Sequence, residues 1–134
     1  MIIDASVAFK LVVQEPDSEA AIGWIGRAEL VGPTLIHAEV GNALWKRVRR
    51  GELANDGEME DRLGDLGRYI RTVDETPLIP RALGLAIELD HPIYDCIYLA
   101  LAEASGDELL TADERFVSAM AASRYANLVK GLHE

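Results

Sequence analysis

Short apolar runs alternate with longer segments of helical periodicity along the whole chain. The runs are rich in β-branched residues and end at breakers or acids, a pattern typical of buried strands. Strands are predicted at residues 1–3, 30–33, 71–74, 108–111 and 127–129. Strands that alternate with helices indicate a parallel sheet covered by helices on both faces, so we predict an α/β fold.

Seven helices are predicted between and after these strands. The first carries Val7, Ala8, Leu11 and Val12, and the others span residues 16–28, 34–50, 55–70, 78–89, 93–104 and 113–121. Thr34 is predicted to cap the third helix and Gly51 to end it. The fourth is the least regular, because Gly57, Gly64 and Gly67 each cost about 1 kcal/mol relative to Ala.

Length and composition favour one globular domain over residues 1–134. Hydrophobic residues make up 49% of the chain, enough to bury a core. No uncharged apolar stretch approaches the roughly 18–20 residues that cross a bilayer. Cys96 is the lone cysteine, and the start of the chain lacks the basic and apolar regions of a signal peptide. We therefore expect a soluble, cytoplasmic protein.

The charge balance is strongly acidic, with 13 Lys and Arg against 23 Asp and Glu and a net charge of −10. This excludes a protein that holds nucleic acid through a generally basic surface. Any contact with nucleic acid must therefore be local.

Two acids stand where predicted strands finish. Asp4 follows the first strand and Asp113 follows the fourth. Ligands of parallel sheets bind outside the carboxyl ends of the strands, and both acids would lie at that edge. Each also suits the N-cap of the next helix, and the sequence leaves both interpretations open.

Two further acids lie on predicted helices among apolar residues. Glu39 falls inside the apolar arc of the third helix, and Asp95 is the only charge in residues 93–102. A buried carboxylate is costly unless it is paired or bound to metal. A buried ion pair, with Lys10 as a possible partner, is therefore the alternative to a metal site.

Four carboxylates able to converge on one sheet edge suit a hard divalent cation such as Mg²⁺ or Mn²⁺. His37, His91 and His133 occur singly, so no zinc spacing is present. The chain also lacks a phosphate-binding glycine loop and a nucleophile elbow.

Four segments spread along the chain carry a family resemblance. They are MIIDAS at residues 1–6, residues 33–44 with Glu39 at their centre, YDCIYLALA at residues 94–102 and LLTADERF at residues 109–116. In this order they resemble PIN-domain ribonucleases, specifically the VapC-type toxins of prokaryotic toxin–antitoxin pairs. The segment at residues 55–68 contributes no motif.

The resemblance implies a single PIN-like domain with endoribonuclease activity that depends on Mg²⁺ or Mn²⁺. It also implies a homodimer and an antitoxin that wraps the toxin and blocks the acidic site. The acidic set falls on Asp4, Glu39, Asp95 and Asp113, with supporting hydroxyls at Ser6 and Thr111.

In the mechanism that we expect, a metal-activated water cleaves the phosphodiester bond. Asp4, Asp95 and Asp113 serve as metal ligands, and Glu39 is a ligand or positions the water. One alternative is a Mg²⁺-dependent phosphatase, although Ser6 stands where that class has a second Asp. The other is a catalytically silent binding module of the same fold.

One dense basic cluster is available for RNA, at the end of the third helix. It consists of Lys46, Arg47, Arg49 and Arg50. The same residues would complement the helix dipole, and this alternative stays open. Trp24, Trp45 and the tyrosines are expected in the core or a dimer interface rather than as platforms for RNA bases.

Overall fold

Five short parallel strands form one central sheet in the computed structural model, which describes residues 1–134. They are β1 (Ile2–Ile3), β2 (Val31–Pro33), β3 (Arg71–Val73), β4 (Leu109–Thr111) and β5 (Val129–Gly131). The strand order is β3-β2-β1-β4-β5. Ile3 pairs with Leu110, so the carboxyl ends of β1 and β4 lie side by side at the middle of one edge.

Seven helices pack around this sheet. They are α1 (Ala5–Val12), α2 (Ser18–Ile22), α3 (Leu35–Arg49), α4 (Glu58–Asp65), α5 (Ile79–Leu89), α6 (Ile93–Ser105) and α7 (Glu114–Ala121). Helix α1 packs with α2 and α3, whereas α5 packs with α6. Both α1 and α6 contact the central strands. The predicted α/β fold with a parallel sheet is thus confirmed.

Helix α6 is the most deeply buried helix. Residues 96–102 are all buried, as the nearly continuous apolar run predicts. The core of the protein combines these side chains with those of the central strands, such as Ile3 and Leu110. No helix has both the length and the apolar character that a transmembrane span requires.

Three predicted elements have different bounds in the structure. The second helix ends at Ile22 rather than near residue 28, because the chain turns there and Gly26 adopts φ +87°. The helix predicted at 55–70 begins after Gly57, whose φ of +92° is not helical, and continues beyond Asp65 as a 3₁₀ turn. The last strand pairs with β4 from Val129 onward, because residues 126–128 form another 3₁₀ turn.

The predicted capping role of Thr34 is also wrong in detail. Its side chain makes no hydrogen bond to the start of α3 and instead donates to Glu75 Oε2 at 2.5 Å. The other oxygen of Glu75 accepts the Leu35 N–H at 3.0 Å. A carboxylate that follows β3 therefore caps α3, which also suits the helix dipole.

Candidate active site

Asp4 occupies the carboxyl end of β1, where α1 begins. Its Oδ1 accepts the Ser6 hydroxyl at 2.5 Å and the Val7 N–H at 3.2 Å, so it caps α1. Its Oδ2 accepts the hydroxyl of Thr111 at the end of β4. The side chain is therefore both a helix cap and part of the sheet edge, and the residue is only 8% exposed.

Burial makes Asp4 a weaker acid than an ordinary aspartate. Desolvation raises its pKa from 3.8 to about 6, against the opposing effect of its three hydrogen bonds. The negative charge of Asp95 makes a smaller contribution to the same increase. A nearby cation would reverse these effects, because it favours the charged carboxylate.

Glu39 approaches the same edge from α3. It is half-buried, and its Oε1 accepts the Tyr98 hydroxyl at 2.8 Å. Burial raises the pKa of Glu39, and the charges of Asp95 and Asp4 raise it further. Asp95 on α6 is thus close enough to both Asp4 and Glu39 to disfavour their ionisation.

The side chain of Asp95 is less buried than the apolar sequence of α6 suggests. Its side chain is 38% exposed, because it stands in the first turn of α6 at the rim of the core. Asp95 Oδ2 lies 2.6 Å from His91 Nε2. The His91 ring packs against Phe116 with centroids 5.2 Å apart, which helps to hold the imidazole in place.

His91 is a site residue that the sequence analysis missed. It lies in the turn two residues before α6, and the chain folds its ring back onto Asp95 in the first turn of that helix. The sequence offers only the closeness of the two residues along the chain as a signal, because the contact depends on the conformation of this turn.

The predicted alternative of a buried ion pair with Lys10 is wrong. Lys10 Nζ lies 2.8 Å from Asp17 Oδ1 and 3.6 Å from Glu15 Oε1. No Lys or Arg forms an ion pair with Glu39 or Asp95. The acids at the sheet edge therefore have no Lys or Arg beside them, and His91 at Asp95 is the one basic side chain that contacts them.

Asp113 lies at the outer part of the edge. It is exposed, and its Oδ1 caps α7 by accepting the N–H groups of Arg115 and Phe116. Its own N–H donates to the Thr111 hydroxyl oxygen at 3.1 Å, which links it to Asp4. The N-cap interpretation thus holds for both strand-end acids, and in Asp113 the capping uses only one of the two oxygens.

Ser6 and Thr111 tie β1 and β4 together around Asp4. Their hydroxyl oxygens are 3.4 Å apart, and Ser6 Oγ also accepts the Ala112 N–H at 2.9 Å. Thr111 is fully buried. These bonds fix the orientation of the Asp4 carboxylate.

The donor atoms of this edge suit a hard cation, although no three His, Cys, Asp or Glu side chains gather closely enough here to hold a metal ion. The four predicted ligands would all bind through carboxylate oxygens, the donor atoms that Mg²⁺ and Mn²⁺ prefer. Burial is the main cause of the raised pKa values of Asp4 and Glu39, and the charges of neighbouring carboxylates add to it. The residues therefore fit a divalent cation in their chemistry.

A groove of about 480 Å³ leads away from the acids along α3. It runs from Ser6 and Glu39 to the basic cluster and is lined there by Lys46, Arg47 and Arg50. Arg47 is already paired with Glu15 at 2.9 Å and with Glu52 at 3.4 Å. Arg49 points to the neighbouring side of the helix, toward Trp45.

Comparisons with known proteins agree with this architecture. The family model described as PIN domain matches residues 1–121. Ribonuclease VapC3 of Pyrobaculum aerophilum is 35% identical over 118 residues, which covers 86% of this chain and 90% of that protein. The crystal structure of PAE2754 from the same organism superimposes with a TM-score of 0.76 at 24% identity. That likeness covers 98% of this chain and 88% of the other, and it concerns the fold.

Proposed function

The chain belongs to the VapC type of the PIN-domain family, and we propose that it is a metal-dependent endoribonuclease. The observation that carries this proposal is the convergence of acids from β1, α3 and α6 with no Lys or Arg ion pair. The relative named Ribonuclease VapC3 supports RNA as the substrate.

In this proposal Asp4, Asp95 and Asp113 hold Mg²⁺ or Mn²⁺, directly or through water. A bound cation of this kind lowers the pKa of a coordinated water and offsets the charge that develops on the phosphate. Glu39 is a further ligand or orients the attacking water, and the Tyr98 hydroxyl holds its carboxylate. Ser6 and Thr111 hold Asp4 in the orientation that its role requires.

We expect purified protein to cleave single-stranded RNA in Mg²⁺ or Mn²⁺ and to stop in EDTA. Chelation removes the cation, and the acids then repel both each other and the substrate phosphate. Gel analysis of an end-labelled RNA measures the cleavage, and restoring excess Mg²⁺ to the chelated sample provides the control. Undiminished cleavage in EDTA would exclude the metal mechanism, whereas no cleavage with metal would favour a silent binding module.

We further propose that the protein is the toxin of a toxin–antitoxin pair in the cytoplasm, as a homodimer. Carboxylates at the sheet edge that have no Lys or Arg partner offer a site for a basic side chain of an antitoxin. Exposed apolar side chains on α5 and α6, namely Leu83, Ile87 and Tyr94, offer surface for association.

Expression of the chain alone is expected to arrest growth, and co-expression of a small antitoxin encoded beside it should restore growth and suppress RNA cleavage. A basic side chain placed at the acids would occupy the position of the cation. Growth curves and RNA gels from the same cultures provide the measurement. The toxin proposal fails if co-expression changes neither readout while both proteins are present on a blot.

A further inference from the structure

Trp45 lies on the surface rather than in the core. Its side chain is 53% exposed, whereas Trp24 is partly buried against the core. The core location considered for Trp45 in the sequence analysis is therefore wrong. The Arg49 guanidinium lies over the Trp45 ring, with its Cζ 5.4 Å from the ring centroid. The two side chains form a flat, exposed pair on α3.

The surroundings of Trp45 are strongly cationic for so acidic a protein. Seven of the thirteen Lys and Arg residues form ion pairs with carboxylates. Of the other six, Lys46, Arg49 and Arg50 line one cavity of about 320 Å³ together with Trp45. The dipole of α3 accounts for cations at its end, but it gives no reason for an exposed indole among them.

The cavity at Trp45 and the groove from the acids share a wall. Lys46 and Arg50 line both. Trp45 follows Glu39 by six residues, which places it about 9 Å along the helix axis and about 120° around it. An RNA strand whose phosphates contact Lys46 and Arg50 would therefore reach Trp45 by passing around α3 from the groove that Glu39 lines.

We propose that Trp45 and Arg49 form a stacking platform for one unpaired base of the RNA that is cleaved. This rests on the proposed ribonuclease function and assigns two residues outside the acidic site to the binding of its single-stranded substrate. Every base has a π-face that stacks on an aromatic ring, and Arg reinforces such a platform. In a duplex those faces are covered by neighbouring bases, so the platform requires an unpaired nucleotide.

An anionic strand suits this surface better than an apolar protein surface does. A protein that covered Trp45 with apolar side chains would also take Lys46, Arg49 and Arg50 out of water without partners, which is costly. Phosphates supply the missing partners and release counterions as they bind.

Fluorescence of Trp45 itself tests the proposal. In Trp24→Phe, Trp45 is the only indole, and its emission reports on stacking. In EDTA, a short single-stranded RNA should quench this emission. The same sequence as a duplex and a ribose-phosphate chain without bases should not. The reciprocal variant Trp45→Phe keeps an aromatic ring, so it should bind RNA nearly as well while the emission of Trp24 stays unchanged.

The affinity for RNA and its dependence on salt distinguish base stacking on Trp45 from contacts between cations and phosphates. Trp45→Ala should weaken single-stranded RNA binding roughly 5- to 150-fold, the range of one stacked base. The slope of log affinity against log salt should not change, because no phosphate contact is lost. As the matched control, Lys46→Ala with Arg50→Ala should reduce that slope by about 0.7 for each phosphate contact removed from the single strand. Circular dichroism checks that each variant is folded.

Three results would overturn the platform. One is equal quenching by duplex and single strand, and another is a salt slope that falls in Trp45→Ala. The third is a Trp45→Ala protein that binds RNA normally but sediments as a smaller species, which would assign Trp45 to a protein interface. Cleavage in Mg²⁺ is scored on separate samples. The ribonuclease proposal and the platform can therefore fail independently.

Discussion

Asp4→Asn is expected to lower the rate of RNA cleavage at least about a hundredfold in saturating Mg²⁺. Groups that merely support a metal ligand are worth roughly 10- to 100-fold, so loss of a ligand itself should cost no less. Asn preserves the shape of Asp4 and an oxygen that can cap α1. The variant should therefore remain folded, and the loss reflects the missing charge.

Single-turnover cleavage and RNA affinity in EDTA are the measurements for Asp4→Asn. Affinity should be unchanged or tighter, because the variant has one negative charge fewer at the site. Glu114→Gln is the matched control, since Glu114 adjoins Asp113, is 81% exposed and belongs to none of the predicted ligands. It loses the same charge near the same edge and should retain most of the cleavage rate. An Asp4→Asn protein with wild-type turnover would remove Asp4 from the catalytic set.

Asp95→Asn and Asp113→Asn are expected to lose cleavage in the same assay, for the reason given for Asp4. Asp113 is informative because its Oδ1 already caps α7 while its carboxylate stays exposed. Asn is also a good N-cap, so the capping function should survive in Asp113→Asn. Loss of cleavage in a protein of unchanged stability would then point to a metal or water contact at Asp113.

The arrangement of strands and helices was predictable because the apolar pattern changes period between them. Residues 96–102 form a helix that is buried all round, and their sequence contains no charge. The strand order was not predictable, because the residues of short apolar strands such as β1 and β4 do not specify which strands pair with each other. Local turn geometry at Gly26 and Gly57 decided the bounds that were predicted wrongly.

The acids at the sheet edge were predictable from a general property of parallel sheets. All carboxyl ends of the strands meet at one edge, so Asp4 and Asp113 had to share it. Side-chain partners were harder to predict, because they depend on which elements pack together. The pairing of Lys10 with Asp17 depends on how the loop between α1 and α2 turns back beside α1, which the residue pattern does not specify. The exposure of Trp45 requires a face of α3 that nothing covers.

The metal-free protein is expected to lose stability from mildly acidic to neutral pH because of Asp4. Burial raises the pKa of Asp4 from 3.8 to about 6 in the folded state. Its stabilising contribution is complete below the unfolded pKa and is lost as pH rises through the folded pKa. The whole shift corresponds to about 3 kcal/mol, of which about 2 kcal/mol falls between pH 4 and pH 7.

Asp4→Asn removes this titration, so its unfolding free energy relative to wild type should improve by about 2 kcal/mol between pH 4 and pH 7. Urea unfolding in EDTA measures this difference between the two proteins. The contributions of the other acids cancel, because both proteins contain them. In the control Asp107→Asn the difference should not improve with pH in this way, because the hydrogen bond from the Met1 amino group lowers the pKa of Asp107 instead of raising it. Mg²⁺ at a hundredfold excess over Kd should stabilise the wild type by about 2.7 kcal/mol. Asp4→Asn should gain less, since the residue that opposes folding is the one that holds the cation. A flat difference for Asp4→Asn, with full stabilisation by Mg²⁺, would contradict both roles.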